Sequence, residues 1–225
     1  MMAEKIKDGI WSVGILNPSL RVFDIIMSTE YGTSYNSYIV KGAEKTALVE
    51  CTHLTYFDRY LENIRQVCDP SEIDYLVLNH NEPDHAGGVA RLLELNPNME
   101  IICSQAGSIY IKNITNRTDL KLHVVKDGEE ISLGGRTLKF LVAPFLHWPD
   151  SMFTWVPEDK TLFPCDFLGG HYCEPFTFDY NIARNDAYES SFKGYYDAIF
   201  GPFPSYVQKG LEKIKDLDIE IACPS

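Results

Sequence analysis

The sequence has 225 residues and carries 20 Lys and Arg against 32 Asp and Glu, a formal net charge of −12. Hydrophobic residues at 45% and charged residues at 23% match ordinary globular usage, which excludes disordered, collagen-like and coiled-coil chains. No basic run interrupts the acidic balance, so the clustered Lys and Arg that nucleic acid or an anionic membrane surface requires are missing.

The apolar runs, such as LKFLVAPFL from Leu138, fall well short of the roughly 20 residues that span a bilayer. The N-terminus MMAEKIKDG has no apolar signal-peptide core. A cytoplasmic protein with neither membrane nor nucleic-acid partners is the expectation. Six cysteines (Cys51, Cys68, Cys103, Cys165, Cys173, Cys223) are scattered with no CxxC pair, which reads as free thiols in a reducing compartment.

No linker, low-complexity tract or repeat divides the chain, so one domain over residues 1–225 is expected. Short β-rich runs at 10–13, 21–27, 35–40 and 46–50 open it as a meander, punctuated by Gly, Asn and Lys-Gly. Apolar residues at helical spacing (Phe57, Tyr60, Leu61, Ile64) predict a helix over 57–67, and the unbroken run 75–78 a buried strand. Helix 89–95, strand 100–103, helix 106–114 and strands 121–125, 131–133 and 137–142 follow, the last two joined at Gly134-Gly135. Strands at 152–156 and 161–165, helices at 188–200 and 206–217 and a closing strand at 219–223 complete the order. Mixed sheets with helices on their outer faces, an α/β (α+β) architecture, fit this succession.

The segment LNHNEPDHAGGV, beginning at Leu78, is the most informative. An apolar strand ends at Asn79, and His80, Glu82, Asp84 and His85 follow within six residues, stiffened by Pro83, before Gly87-Gly88 lead into a helix. Four donors aimed from one strand end point to metal binding. Imidazole with carboxylate and no thiolate suits Fe, Mn or Zn, whereas structural zinc recruits Cys, and Ca or Mg prefers oxygen alone. One tetrahedral site would be oversupplied, so two metals sharing a carboxylate fit better.

His147 in PFLHWPDSMF and Asp166 in FPCDFLGGHY also sit just past predicted strand ends, and together with the first loop they complete the candidate ligands. His171, five residues beyond Asp166, reads either as a proton donor just outside the ligands or as a surface residue. His53 and His123 have no such companions and read as structural or surface residues.

HxExDHxGG with the later HWPDS and CDFLG segments resembles the metallo-β-lactamase-like domain of the flavodiiron proteins, or A-type flavoproteins, over nearly the whole chain. Most hydrolases of that superfamily carry HxHxDH, with His where this chain has Glu82. A carboxylate there adds negative charge and hardens the site, which favours iron over zinc.

The resemblance implies an αββα metallo-β-lactamase-like sandwich with two Fe ions at the edge between its sheets. It implies that one iron takes His80, Glu82 and His147, that the other takes Asp84, His85 and a last histidine, and that Asp166 bridges them. It implies an oxidoreductase that reduces dioxygen to water or nitric oxide to nitrous oxide; the aromatic residues Trp148 and Phe167 are expected to keep the pocket dry. Electrons would come from FMN of a neighbouring subunit in a head-to-tail homodimer, fed by a rubredoxin, a reduced flavin or a deazaflavin.

The chain departs from the pattern at its end. The family continues into CPSHG and a flavodoxin-like domain that holds FMN, whereas this sequence reads ACPS and stops at Ser225. A fragment of a full-length flavodiiron protein is the favoured expectation, against a stand-alone module that takes electrons and a last ligand from elsewhere. A zinc hydrolase of the glyoxalase II type, and a metal-binding module without turnover, are the rival readings.

Overall fold

The computed structural model describes residues 2–182 and 185–225. A seven-stranded sheet runs in the order Glu4–Lys7, Ile10–Ser12, Tyr38–Lys41, Thr46–Val49, Tyr75–Leu78, Glu100–Cys103, Leu122–Val124. The first four of these pair antiparallel with their neighbours, and from Thr46–Val49 onward the pairing is parallel. A five-stranded sheet runs Glu130–Ser132, Thr137–Val142, Met152–Val156, Thr161–Phe163, Ile221–Ala222, antiparallel except for its last pair.

Alternation along each strand builds the layers. Ala47 and Val49 face the second sheet, where they meet Leu138, Phe140, Met152, Val156 and Phe163, while Leu48 between them faces outward. The outward face of the first sheet is covered by helices Phe57–Arg65, Val89–Leu95 and Gly107–Thr115, through Phe57, Tyr60, Ile64, Leu92 and Ile111. On the other side Leu141, Phe153, Trp155 and Leu162 pack against Tyr195 of helix Asp186–Ile199, Phe200 just past its end, and Val207 and Ile214 of helix Pro204–Ile214. The result is the expected αββα sandwich. Each large apolar side chain buried between these layers stabilises it by about 1.5–3 kcal/mol.

Several sequence expectations need correction. The predicted strand 21–27 is a separate hairpin: Val22–Phe23 pairs only with Met27–Ser28, across a turn in which Asp24 and Ile25 have φ of 47° and 71°. Its apolar residues resemble a core strand, yet Ile25 and Ile26 are 94% and 89% exposed. The run 35–40 is divided, because Thr33–Tyr35 pairs with Ile15–Asn17 in a small sheet before the chain enters the main sheet at Tyr38. Strand Glu4–Lys7 and the single-turn helix Pro83–Ala86 were not anticipated. Strand 161–165 ends at Phe163, the closing strand covers only Ile221–Ala222, and the two last helices begin two residues earlier than expected. The earlier starts have local causes: Asn185 accepts from Tyr188 N–H as a helix cap, and Pro204 takes the first helical position.

The two sheets meet at the carboxyl ends of Tyr75–Leu78 and Thr161–Phe163. Asn79 fastens that edge: its backbone N–H donates to Glu50 Oε1 (3.0 Å), its carbonyl accepts from Met152 N–H (2.9 Å), and its side chain accepts from Thr154 Oγ1 (2.7 Å). No helix among the described residues is long and apolar enough to cross a membrane.

Candidate metal centre

The residue after this fastened strand end is His80, whose side chain is fully buried. Its Nδ1 lies 3.1 Å from Asp150 Oδ1 and its Nε2 lies 3.1 Å from Glu82 Oε2. Asn81 Nδ2 donates to the other Asp150 oxygen at 2.8 Å, so the imidazole is oriented from behind. Pro83 then turns the chain into helix Pro83–Ala86, which carries Asp84 and His85. The loop is pressed onto the outer core at Gly88, where a Cβ would come within 2.8 Å of the Phe57 ring and 2.9 Å of Cys51 Sγ. No larger residue fits there without moving the loop.

The second sheet supplies the rest. His147 Nε2, from the loop after Thr137–Val142, lies 3.2 Å from Glu82 Oε2 and 3.5 Å from Asp166 Oδ2. Asp166 follows Cys165, whose φ of 56° turns the chain sharply at the strand end. Its Oδ1 is 3.1 Å from His85 Nε2, and its Oδ2 is 3.8 Å from His80 Nε2. His85 Nε2 is in turn 3.5 Å from Asp84 Oδ2. Ligand atoms of His80, Glu82, His147 and Asp166 all fall within 4.8 Å of one another, and the same holds for Glu50, His85 and Cys165. All six residues named from the sequence are therefore drawn together, with Asp166 between the two halves.

The electrostatics of the site are those of acids and bases crowded together in a buried pocket. Burial opposes a charge on His80, but Asp150, Glu82 and Asp166 outweigh it and hold the imidazole up at about 10. His147 is raised to about 9 against the same opposition, by Asp166 and Glu82, and His85 is raised well above its ordinary value by Asp84 and Asp166. Glu82 and Asp166 are pushed below the usual carboxylate range by these imidazoles, which overcome their burial. Asp84 moves up, chiefly through burial.

Buried Asp84 Oδ1 has no hydrogen-bond partner, and the 3.1 Å approach of His85 Nε2 to Asp166 Oδ1 lacks the alignment of a hydrogen bond. Three carboxylates and three imidazoles, with these two atoms free of hydrogen bonds at their centre, are the donor set of a pair of oxygen- and nitrogen-seeking cations, so the residues fit metal ions. Among the described residues no Cys, with Cys165 Sγ apart, stands in this group.

Other expected residues fall as follows. Trp148 packs edge-on against His80 with ring centroids 4.9 Å apart, and buried Phe167 stacks on Phe153 at 5.5 Å. His171 lines the cavity of the centre, and its Nδ1 is 2.7 Å from Thr33 Oγ1. Burial lowers it to about 4, so the ring is neutral near pH 7. His53 stacks over Tyr35 away from the cluster, and His123 pairs with Glu129 at 2.6 Å on the far edge strand.

Four residues near the centre were not singled out from the sequence. Asp150 stood in view within HWPDS. Glu50 ends an apolar strand, is fully buried and is pushed up to about 8 by that burial. A lone carboxylate closing the run TALV was the signal for it. Tyr195 of helix Asp186–Ile199 lines the cavity with Asp166, and Asp24 of the 22–28 hairpin, largely exposed, is raised to about 6 by its partial burial and by Glu82. Neither of these carries a local signal.

Comparison with known proteins places this arrangement among relatives. The model of the ODP family beta lactamase matches residues 33–225. Flavo-diiron protein FprA2 of Clostridium acetobutylicum is 57% identical over 226 residues, covering 100% of this chain and 56% of that protein. The nitric oxide reductase of Moorella thermoacetica is 37% identical over 217 residues, covering 96% and 54%. The structure of rubredoxin oxygen:oxidoreductase from Desulfovibrio gigas superposes with a TM-score of 0.95 at 34% identity, covering 99% of this chain and 56% of that one. The chain spans about half the length of these curated relatives.

Proposed function

The chain belongs to the ODP family of β-lactamase-like domains that flavodiiron proteins carry, and on that premise we propose that it is the di-iron half of an oxygen or nitric oxide reductase. The observation that carries this reading is the convergence of His80, Glu82, His147, Asp166, Asp84 and His85 around Asp84 Oδ1 and His85 Nε2, two atoms with no hydrogen bond. His80, Glu82 and His147 would hold one iron, Asp84 and His85 the other, and Asp166 would bridge them. When bound, two ferrous ions would supply one electron each, enough to take a pair of nitric oxide molecules to nitrous oxide, while dioxygen to water would draw two more from the flavin.

The residues around the ligands divide the work. Asp150 accepts the Nδ1 proton of His80 and so presents Nε2 to the cavity, while Asn81 keeps Asp150 from turning away. The two oxygens of Asp166 face opposite halves of the site, which fixes the separation of whatever cations sit there. Its charge also screens them from each other. Tyr195 lines the cavity wall, and burial together with the charges of Asp166 and Asp84 keeps its hydroxyl protonated. Trp148 and Phe167 keep water from the ligands, so an oxidant enters a dry pocket where charge is strongly felt.

Electrons on this reading come from FMN, on a flavodoxin-like domain that is not among these 225 residues. A head-to-tail homodimer would bring the FMN of one subunit to the irons of the other, and a rubredoxin, a reduced flavin or a deazaflavin would reduce it. Anaerobic loading with ferrous ion, followed by one addition of nitric oxide or dioxygen, tests the reading. Two irons per chain, with nitrous oxide evolved or dioxygen consumed in proportion to the iron oxidised, are expected. Thioester hydrolysis by a zinc-loaded sample, with no oxidation of bound ferrous ion, would replace the reading with a zinc hydrolase.

A further inference from the structure

Asp166 and His171 are joined by one compact turn. Gly169 N–H donates to the Asp166 carbonyl at 3.0 Å, Leu168 adopts φ of 71°, and the chain comes back to the cavity of the centre at His171. That cavity holds about 10 Å³, room for a single water-sized molecule. Glu82, Asp84, His147 and Asp166 line it as the proposed ligands, whereas His171 lines it without belonging to either ligand cluster.

Three contacts fix the ring of His171. Thr33 Oγ1 lies 2.7 Å from Nδ1, the Phe23 ring packs at 4.7 Å between centroids, and the Tyr195 ring meets it edge-on at 4.8 Å. Its Nε2 is buried and has no hydrogen-bond partner. The Thr33 hydroxyl has one proton and two acceptors in reach, Nδ1 at 2.7 Å and the Ser34 carbonyl at 3.3 Å. O–H···O bonds run to about 3.0 Å, so the carbonyl is too distant and the hydroxyl proton goes to Nδ1. The ring's own proton is then on Nε2. A buried N–H without an acceptor is costly, and this one stands in the wall of a cavity sized for one small guest.

We infer that His171 is a catalytic residue of the centre, whose Nε2–H donates a hydrogen bond to the small oxidant held in this cavity. This role rests on the metal-centre reading above and adds a group that addresses the guest instead of the metals. A donor oriented beforehand by Thr33, Phe23 and Tyr195 needs no rearrangement when negative charge grows on the oxidant, which is where such a bond is worth most.

Two measurements test this role. In metal-free protein labelled with heavy nitrogen at histidine, NMR should find Nε2 of His171 protonated and Nδ1 bare, and the reverse tautomer would overturn the assignment. That result stands whether or not any variant folds. Wild type, His171→Leu and His171→Gln are then loaded anaerobically with ferrous ion and given less than one equivalent of nitric oxide, and the infrared N–O stretch and the release rate are read. His171→Leu should keep two irons, shift the stretch and release nitric oxide about tenfold faster. His171→Gln, which offers an amide N–H from a similar reach, should restore most of both. Two irons in all three proteins with one stretch and one release rate would overturn the role of His171 alone. Equal changes in His171→Gln and His171→Leu would also overturn it, since packing and not the N–H would then be responsible. Fewer than two irons in wild type, or iron that binds no nitric oxide, would overturn the metal-centre reading and the role of His171 with it.

Discussion

His80 and Asp150 meet at 3.1 Å with both side chains fully buried, one from the end of a strand in the first sheet and the other from the loop that enters the second. The contact joins the two halves of the sandwich at the point where the proposed ligands gather. It also fixes which imidazole nitrogen faces the cavity, so it couples the fold to the chemistry of the centre.

Replacing Asp150 by Asn therefore should weaken metal binding more than folding. The amide preserves the shape and the Asn81 contact in part, but it no longer holds the Nδ1 proton of His80 by charge. Iron affinity, measured by competition with a chelator, is expected to fall about 10–100-fold. Unchanged affinity would mean that His80 is oriented by packing alone.

Metal binding should release protons. In the ion-free protein His80 and His147 titrate near 10 and 9, so both are protonated at pH 7, yet a metal takes only the neutral imidazole. Calorimetric titration in buffers of different ionisation enthalpy should show net proton release at pH 7 and less above pH 10. Absence of any buffer dependence would contradict this assignment of charges.

The same shifts set the pH dependence of the ion-free fold. Raised imidazoles stabilise it fully below the unfolded histidine value of about 6.5, and that contribution is lost as pH rises through 9 and 10. Glu50, buried and raised to about 8, acts in the same direction, since its ionisation is disfavoured in the fold. Lowered Glu82 and Asp166 contribute above the unfolded carboxylate range and lose that contribution as pH falls through their depressed values. Thermal melts of metal-free protein should accordingly peak at mildly acidic pH and decline toward pH 10. A rise in stability from pH 7 to 10 would contradict this.

Phe163 offers a test of the scaffold apart from the ligands. It is fully buried between the sheets, with its ring centroid 5.2 Å from that of Tyr38. Phe163→Ala should cost about 3–5 kcal/mol in urea unfolding. The folded fraction should still bind metal, because the ring belongs to the apolar cluster between the sheets.

What the sequence disclosed follows from the range of each signal. His80, Glu82, Asp84 and His85 stand within six residues, and His147 and Asp166 repeat the same position at the ends of apolar runs, so their gathering could be anticipated locally. The sheets could be anticipated too, since Leu48 between Ala47 and Val49 already alternates between core layers. The 22–28 hairpin could not. Its apolar residues suit a strand, and only the tertiary structure shows that Ile25 and Ile26 face solvent while Phe23 lines the cavity of the centre. Tyr195 was hidden for a similar reason, because one Tyr on an amphipathic helix does not reveal what lies across from it.

The most direct measurement is iron content with Mössbauer spectroscopy on the wild-type chain, loaded anaerobically with isotopically enriched ferrous ion. Two irons per chain in nitrogen- and oxygen-rich coordination, reduced to one or fewer in Asp166→Ala, are the predicted result. Two irons retained in both Asp166→Ala and Glu82→Ala with unchanged spectra, or fewer than two in the wild type, would contradict the ligand set proposed for this centre.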